Sequence, residues 1–179
     1  GQSPFPIPES VVLALKNSAN KNTYLPMQGL EELRLAIANH LNKNNGNNFK
    51  PDNIIIGPGT KELMFLTQIA FQGEIILPTP SWVSYKPQAI IANNKVHWIE
   101  TSNSSNWFPT GEQLEKKINN IENKNLLFFI NSPNNPSGSV CKNLEEIAII
   151  AKKYKLIILS DEIYSKLTFE ENYLSISSF

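Results

Sequence analysis

The sequence predicts an α/β fold in three layers, with helices over both faces of a mainly parallel sheet. Three observations lead there. Short apolar runs alternate with helix-patterned segments along most of the chain. The runs, such as Leu126 to Ile130, are continuous in the manner of strands buried on both faces. Turns rich in Gly, Pro, Asn or acid follow the strands directly, where open parallel sheets bind their ligands.

In chain order, residues 1–8 carry Pro4, Pro6 and Pro8 and are extended. Residues 9–16 read as a short helix with Val12 and Leu15 on one side. Leu30, Leu33, Ile37 and Leu41 recur at spacings of three and four, an amphipathic helix with Arg34 beside the stripe, and the Asn-rich stretch 43–48 ends it. Ile54, Ile55 and Ile56 are expected as a first strand, and 60–71 as a helix with Leu63, Leu66 and Ala70 inward. Strands follow at 74–77, 95–100, 125–130 and 156–159, separated by helices at 81–92, 110–120 and 143–153. Thr110 with Gln113, and Asn143 with Glu146, have the spacing of capping boxes.

The 179 residues suffice for one domain, or one and part of another, and the first residue is Gly1 rather than Met. The formal net charge is zero, 16 basic against 16 acidic residues, which argues against a nucleic-acid partner or an anionic membrane. Arg34 is the only arginine, which matters because planar recognition of carboxylates normally falls to Arg. The single cysteine, Cys141, excludes an internal disulfide framework and reads as a small loop residue. His40 and His97 lie far apart with no metal-ligand spacing, so no metal is expected. No run is long enough to span a membrane and no signal pattern opens the chain, so a cytoplasmic location is expected.

Four stretches carry chemistry. The turn Gly57-Pro58-Gly59-Thr60-Lys61 joins a strand to a helix. It is either a phosphate cradle of free amides and the Thr60 hydroxyl or an ordinary turn. It is no dinucleotide fingerprint, since Glu62 stands where the third glycine belongs. Trp82 follows another strand, where it either stacks on a flat ligand or packs a helix on the sheet. The turn from Asn131 to Gly138 presents three asparagines and two prolines at the same edge, and Asn135 is a donor for a ligand oxygen. Asp161 ends the run 156–159, with Tyr164 three residues on; it meets a ligand, caps the next turn or pairs with a Lys. Together they offer a phosphate cradle, an aromatic plate, an amide and a carboxylate with a phenol. That set suits pyridoxal 5′-phosphate, whose pyridine nitrogen is kept protonated by a carboxylate.

In these motifs the chain resembles the class I/II, fold-type I aminotransferases, and among them the aspartate and aromatic branch. The likeness runs through Tyr24 to Gly29, Leu33-Arg34, Gly59-Thr60-Lys61, Pro80-Ser81-Trp82, Asn134 to Gly138, and Asp161-Glu162-Ile163-Tyr164. The resemblance implies an incomplete large domain at 18–179, preceded by a small-domain segment at 1–17. It implies that Gly59, Thr60 and Lys61 bind the cofactor phosphate and that Trp82 stacks on the ring. Asn135 and Tyr164 contact the ring oxygen, and Asp161 pairs with the ring nitrogen. Tyr24 is expected to reach the phosphate of the neighbouring subunit in a homodimer, and Gly1, Trp82 and Asn135 to meet the substrate. The activity it implies is amino transfer from an L-amino acid to a 2-oxo acid. A lyase or decarboxylase on the same scaffold, or a non-catalytic ligand-binding module, is the alternative. The family's Schiff-base lysine falls after Phe179, and Lys166 is too close to Asp161 to replace it. The chain is therefore expected to carry cofactor contacts but no catalytic residue, to be inactive alone, and to leave unpaired strand edges.

Overall fold

A computed structural model describes residues 4–169 and 173–179. Four strands, β1 (Glu74–Thr79), β2 (Lys95–Glu100), β3 (Leu126–Asn131) and β4 (Ile157–Asp161), form one sheet in the order β2-β1-β3-β4. Every pairing is parallel. The connections are helical: α4 (Tyr85–Ile91) joins β1 to β2, α5 (Gly111–Asn119) joins β2 to β3, and α6 (Leu144–Tyr154) joins β3 to β4. Ahead of the sheet come α1 (Glu9–Ser18), α2 (Glu31–Asn45) and α3 (Thr60–Ala70).

Alternation along the strands makes the three layers. Ile76, Phe128 and Ile130 point to one side and pack with Leu114, Ile118 and Ile147 from α5 and α6. Ile75, Leu77, Leu127 and Phe129 point to the other and pack with Met64, Tyr85 and Ala89 from α3 and α4. Strand β3 is buried at every position, which explains its unbroken apolar sequence. Each of the buried Ile, Leu, Phe and Met side chains among these contributes about 1.5–3 kcal/mol over leaving it in water.

Several sequence expectations are corrected. Residues 54–56 form no strand: the Ile56 N–H donates to the Gln28 carbonyl at 2.9 Å, and Ile55 is exposed, because no strand lies beside them among the described residues. Strand β4 is not buried on both faces, since it is the last strand of the sheet and Ile157 is half exposed. The inward face of α3 is Met64 and Gln68, with Leu66 outside, and that of α2 is Arg34 and Ala38, with Leu30 and Leu33 outside. Leucine spacing alone marks a stripe but not which neighbouring stripe meets the protein. The helix expected from residue 81 begins at Tyr85, after a turn that includes the cis Thr79–Pro80 bond.

The capping box at Thr110 is present, its hydroxyl accepting from Gln113 N at 3.2 Å while Gln113 Oε1 accepts from Thr110 N at 3.0 Å. The one expected at Asn143 is not. Its amide donates to the Pro109 carbonyl at 2.9 Å and to Glu146 Oε2 at 3.1 Å, so it clasps the entry to α5 instead.

Arg34, only 6% exposed, donates from Nε to the Gly29 carbonyl at 3.3 Å and from a guanidinium nitrogen to the Pro51 carbonyl at 2.9 Å. Its pairing with Asp52 at 3.5 Å is solvent-facing on the acid side and adds little. Arg34 is thus a brace between α2 and the loops around it.

Candidate active site

Because the four strands are parallel, their carboxyl ends lie at one edge of the sheet. Asn131 and Asp161 are register partners there. The Asn131 side-chain amide donates to the Asp161 carbonyl at 2.9 Å, and its oxygen accepts from Asn135 N at 2.7 Å. One side chain thus fixes two strand ends and the start of the next turn. Beyond it, Asn134 Oδ1 accepts from Ser137 Oγ at 2.9 Å, and Gly138 N returns to the Asn134 carbonyl at 2.8 Å. Both Ser132–Pro133 and Asn135–Pro136 are cis.

At this edge lies a cavity of about 240 Å³. Thr60, Trp82, Asn135, Asp161 and Tyr164 line it, five of the residues singled out by sequence. Gly59 and Lys61 flank Thr60 at the start of α3. Gly59 has φ +106° and open space around it, and the first N–H groups of α3 have no intrahelical acceptor. The Lys61 ammonium lies 5.6 Å from the centre of the Trp82 ring, and the Lys61 carbonyl accepts from Gln88 Nε2 at 3.0 Å. Tyr24 is not part of the cavity; its ring is fully exposed. Gly1 lies outside the described residues.

Met64, Tyr85, Asn131 and Ile163 also line the cavity; the sequence names Asn131 and Ile163 only as members of their motifs and assigns none of the four a role. Met64 stands one turn after Thr60 on α3. Asn131 and Ile163 adjoin chosen positions, and Tyr85 follows Trp82 at a spacing of three, a signal legible in hindsight as two aromatics at the head of one helix.

Asp161 is 8% exposed, and both its oxygens are engaged: Oδ2 accepts from the Tyr85 hydroxyl at 2.7 Å and Oδ1 from Ile163 N at 3.3 Å. Burial, and then the neighbouring Asp161 carboxylate, hold the Tyr85 phenol far above its ordinary pKa, so it remains a donor. Tyr85 also meets the Trp82 ring edge-on, with centroids 5.5 Å apart and planes at 79°. Cys141 is buried, and burial pushes its thiol up to about 11, which disfavours a reactive thiolate.

The sequence model of the class I and II aminotransferases matches residues 1–178. The chain belongs to that family. Among curated relatives of this chain, the aspartate aminotransferase of Bacillus sp. strain YM-2 is 36% identical over 94% of the chain and 44% of the relative. The aromatic-amino-acid aminotransferase 2 of Thermococcus litoralis is 35% identical over 95% of the chain and 45% of the relative. Among solved structures, aspartate aminotransferase from Thermus thermophilus with maleate superposes with a TM-score of 0.92 at 31% identity, covering 99% of this chain and 48% of that one. The chain thus spans about half the length of the relatives it matches. The family is one of pyridoxal phosphate-dependent transferases. Among the described residues no helix is long and apolar enough to cross a membrane.

Proposed function

We propose that this chain supplies the cofactor cavity of an aminotransferase that moves an amino group from an L-amino acid, aspartate or an aromatic one, to a 2-oxo acid. The observation that carries the reading is a buried carboxylate, Asp161, in one cavity with Thr60, Trp82, Asn135 and Tyr164. The donor set fits pyridoxal 5′-phosphate. The cavity is smaller than the ~300–1,000 Å³ typical of larger ligands and suits a single substituted ring. Open space at Gly59 leaves the amides at the start of α3 accessible to a phosphate.

When bound, pyridoxal phosphate supplies an electron sink for the pair released at the α-carbon of an amino acid. The chain's own residues bind and orient. Thr60, with its own amide and that of Lys61 in the turn opened by Gly59, takes the phosphate, the Gly59 N–H being committed to the Gly57 carbonyl at 2.8 Å, and Trp82 offers the face against which the ring stacks. Asn135 and Tyr164 donate toward the ring oxygen, and Asp161 holds a proton on the ring nitrogen. None of the described residues lining the cavity is a lysine.

Residues 1–17 read as a segment of the small domain; α1 buries no side chain among the described residues. Residues 18–179 then form part of the large one. Tyr24, exposed beside Met27, suits a reach into a second copy in a homodimer. Gly1 is retained as a substrate contact from the sequence resemblance alone. The maleate of the Thermus structure favours a dicarboxylate substrate.

Titration calorimetry with pyridoxamine 5′-phosphate, which needs no lysine to bind, tests the site. Saturable binding that Asp161→Ala weakens at least about thirtyfold is expected, the scale for removing one partner of a buried charge pair. Failure of the unaltered protein to bind sinks the reading. For the polypeptide that contains this chain, amino transfer from L-aspartate is the expected activity, and release of ammonia or carbon dioxide instead reassigns it as a lyase or decarboxylase.

A further inference from the structure

We propose that Tyr85 is a positioning residue that acts through Asp161: its hydroxyl fixes the carboxylate that meets the ring nitrogen, while its ring fixes the Trp82 plate. The proposal rests on the cofactor reading above and adds to it a residue that touches no part of the implied cofactor roles assigned there.

The geometry leaves Tyr85 little freedom. Its side chain is 2% exposed and its ring is held between Trp82, 5.5 Å away, and Phe129, 5.0 Å away and tilted by 47°. A phenol so held can point its hydroxyl to one place, and that place is Asp161 Oδ2 at 2.7 Å. The length is that of a charge-assisted O–H···O⁻ bond, shorter than the 3.3 Å contact from Ile163 N to Oδ1. The backbone of Asp161 is already fixed, its carbonyl accepting from the Asn131 amide at 2.9 Å and from Ser132 N at 3.3 Å. What remains is the side-chain torsion, which Ile163 N restrains loosely at Oδ1 and the Tyr85 hydroxyl holds more tightly at Oδ2.

The two halves of Tyr85 separate cleanly. The ring fills the space between β3 and α4, and phenylalanine fills it as well. The hydroxyl does nothing for packing, and no partner other than the carboxylate is needed to satisfy it. A purely structural role therefore predicts that removing the oxygen affects every ligand of the cavity equally. A role through Asp161 predicts an effect only on ligands whose ring carries a nitrogen. Tyr85 sits on α4 and Asp161 at the end of β4, so the bond also joins the aromatic wall after β1 to the carboxylate two strands away.

The test compares pyridoxamine 5′-phosphate with its 1-deaza analogue, in which C–H replaces the ring nitrogen, by titration calorimetry on the protein and on Tyr85→Phe. Tyr85→Phe is expected to weaken the pyridine ligand about tenfold, the scale of a hydrogen bond to a charged group, and the deaza analogue less than about twofold. Equal loss for both ligands, or loss for neither, overturns the proposal while leaving the cofactor reading standing. Failure of the unaltered protein to bind either ligand overturns both. Should Tyr85→Phe not fold, 3-fluorotyrosine at position 85 strengthens the phenol as a donor with almost no change of shape. A shift of about twofold or more in the ratio of the two affinities then supports the proposal, and an unmoved ratio overturns it.

Discussion

Gly29 and Gly59 both hold positive φ, +100° and +106°, yet a methyl group meets different surroundings at each. At Gly59 it meets open space, so Gly59→Ala carries only the cost of holding a side chain at φ +106° and ψ 151°, a region almost confined to glycine, about 1–3 kcal/mol. At Gly29 it lands 2.5 Å from Ile56 Cβ, which adds an overpacking cost, for a total of about 2–5 kcal/mol. Urea denaturation of the two variants is expected to rank Gly29→Ala as the less stable; the reverse order removes the close approach of Gly29 to Ile56. Residue-level legibility follows the same division between local and distant causes. Thr60, Trp82, Asn135, Asp161 and Tyr164 are legible because each opens a helix, ends a strand or lies within about four residues of a strand's carboxyl end, a local property. The tie between Tyr85 and Asp161 spans 76 positions and depends on the strand order, which no window of sequence contains.

Helices α3 and α4 are laced by buried amides. Gln88 bridges from the Lys61 carbonyl to Gln68, and Asn94 donates to the Gln68 carbonyl at 2.7 Å. Gln68 Oε1 has no partner in this lacing. Sequence periodicity located α3 but turned it by one stripe, because Gln68 is read as polar and outward when it is wholly buried. The apolar triplet 54–56 misled in the opposite direction: β-branched residues favour a strand, but a strand exists only where another strand accepts its hydrogen bonds. On the far face, α5 and α6 are joined by Lys153 to Glu115 Oε1 at 2.6 Å and by the Tyr154 hydroxyl to the same oxygen at 2.9 Å. These hydrogen bonds, from Lys153 first and Tyr154 second, hold the Glu115 carboxyl below its ordinary pKa. A depressed carboxyl stabilises the fold above its unfolded pKa and loses that contribution as pH falls through the folded one. Glu115→Gln is therefore expected to lower the thermal midpoint slightly near neutrality and to match the unaltered protein under acid conditions, below the carboxylate range. A difference that persists at low pH would show that the clasp does not depend on charge.

On the scale of the whole molecule, the sheet has a fully buried centre and two unlike edges. The outer side of β4 has no strand beside it among the described residues, although Leu156, Ile158 and Leu159 are largely covered by helices and loops. Unpaired N–H and C=O groups along such an edge are a template for pairing with another chain. The 179-residue chain is expected to self-associate as its concentration rises, and Ile157→Lys, placing a charge on a half-exposed edge position, to reduce that association in sedimentation velocity. Unchanged mass distributions would place the contact elsewhere.

The bracing of Arg34 has one more consequence. As the sole guanidinium of the sequence, it is committed to the carbonyls of Gly29 and Pro51. An acid entering the cavity beside Asp161 finds amides and phenols there but no planar cationic fork. Grip on the coenzyme and a planar grip on a carboxylic acid are thus separate duties, and Arg34 performs neither.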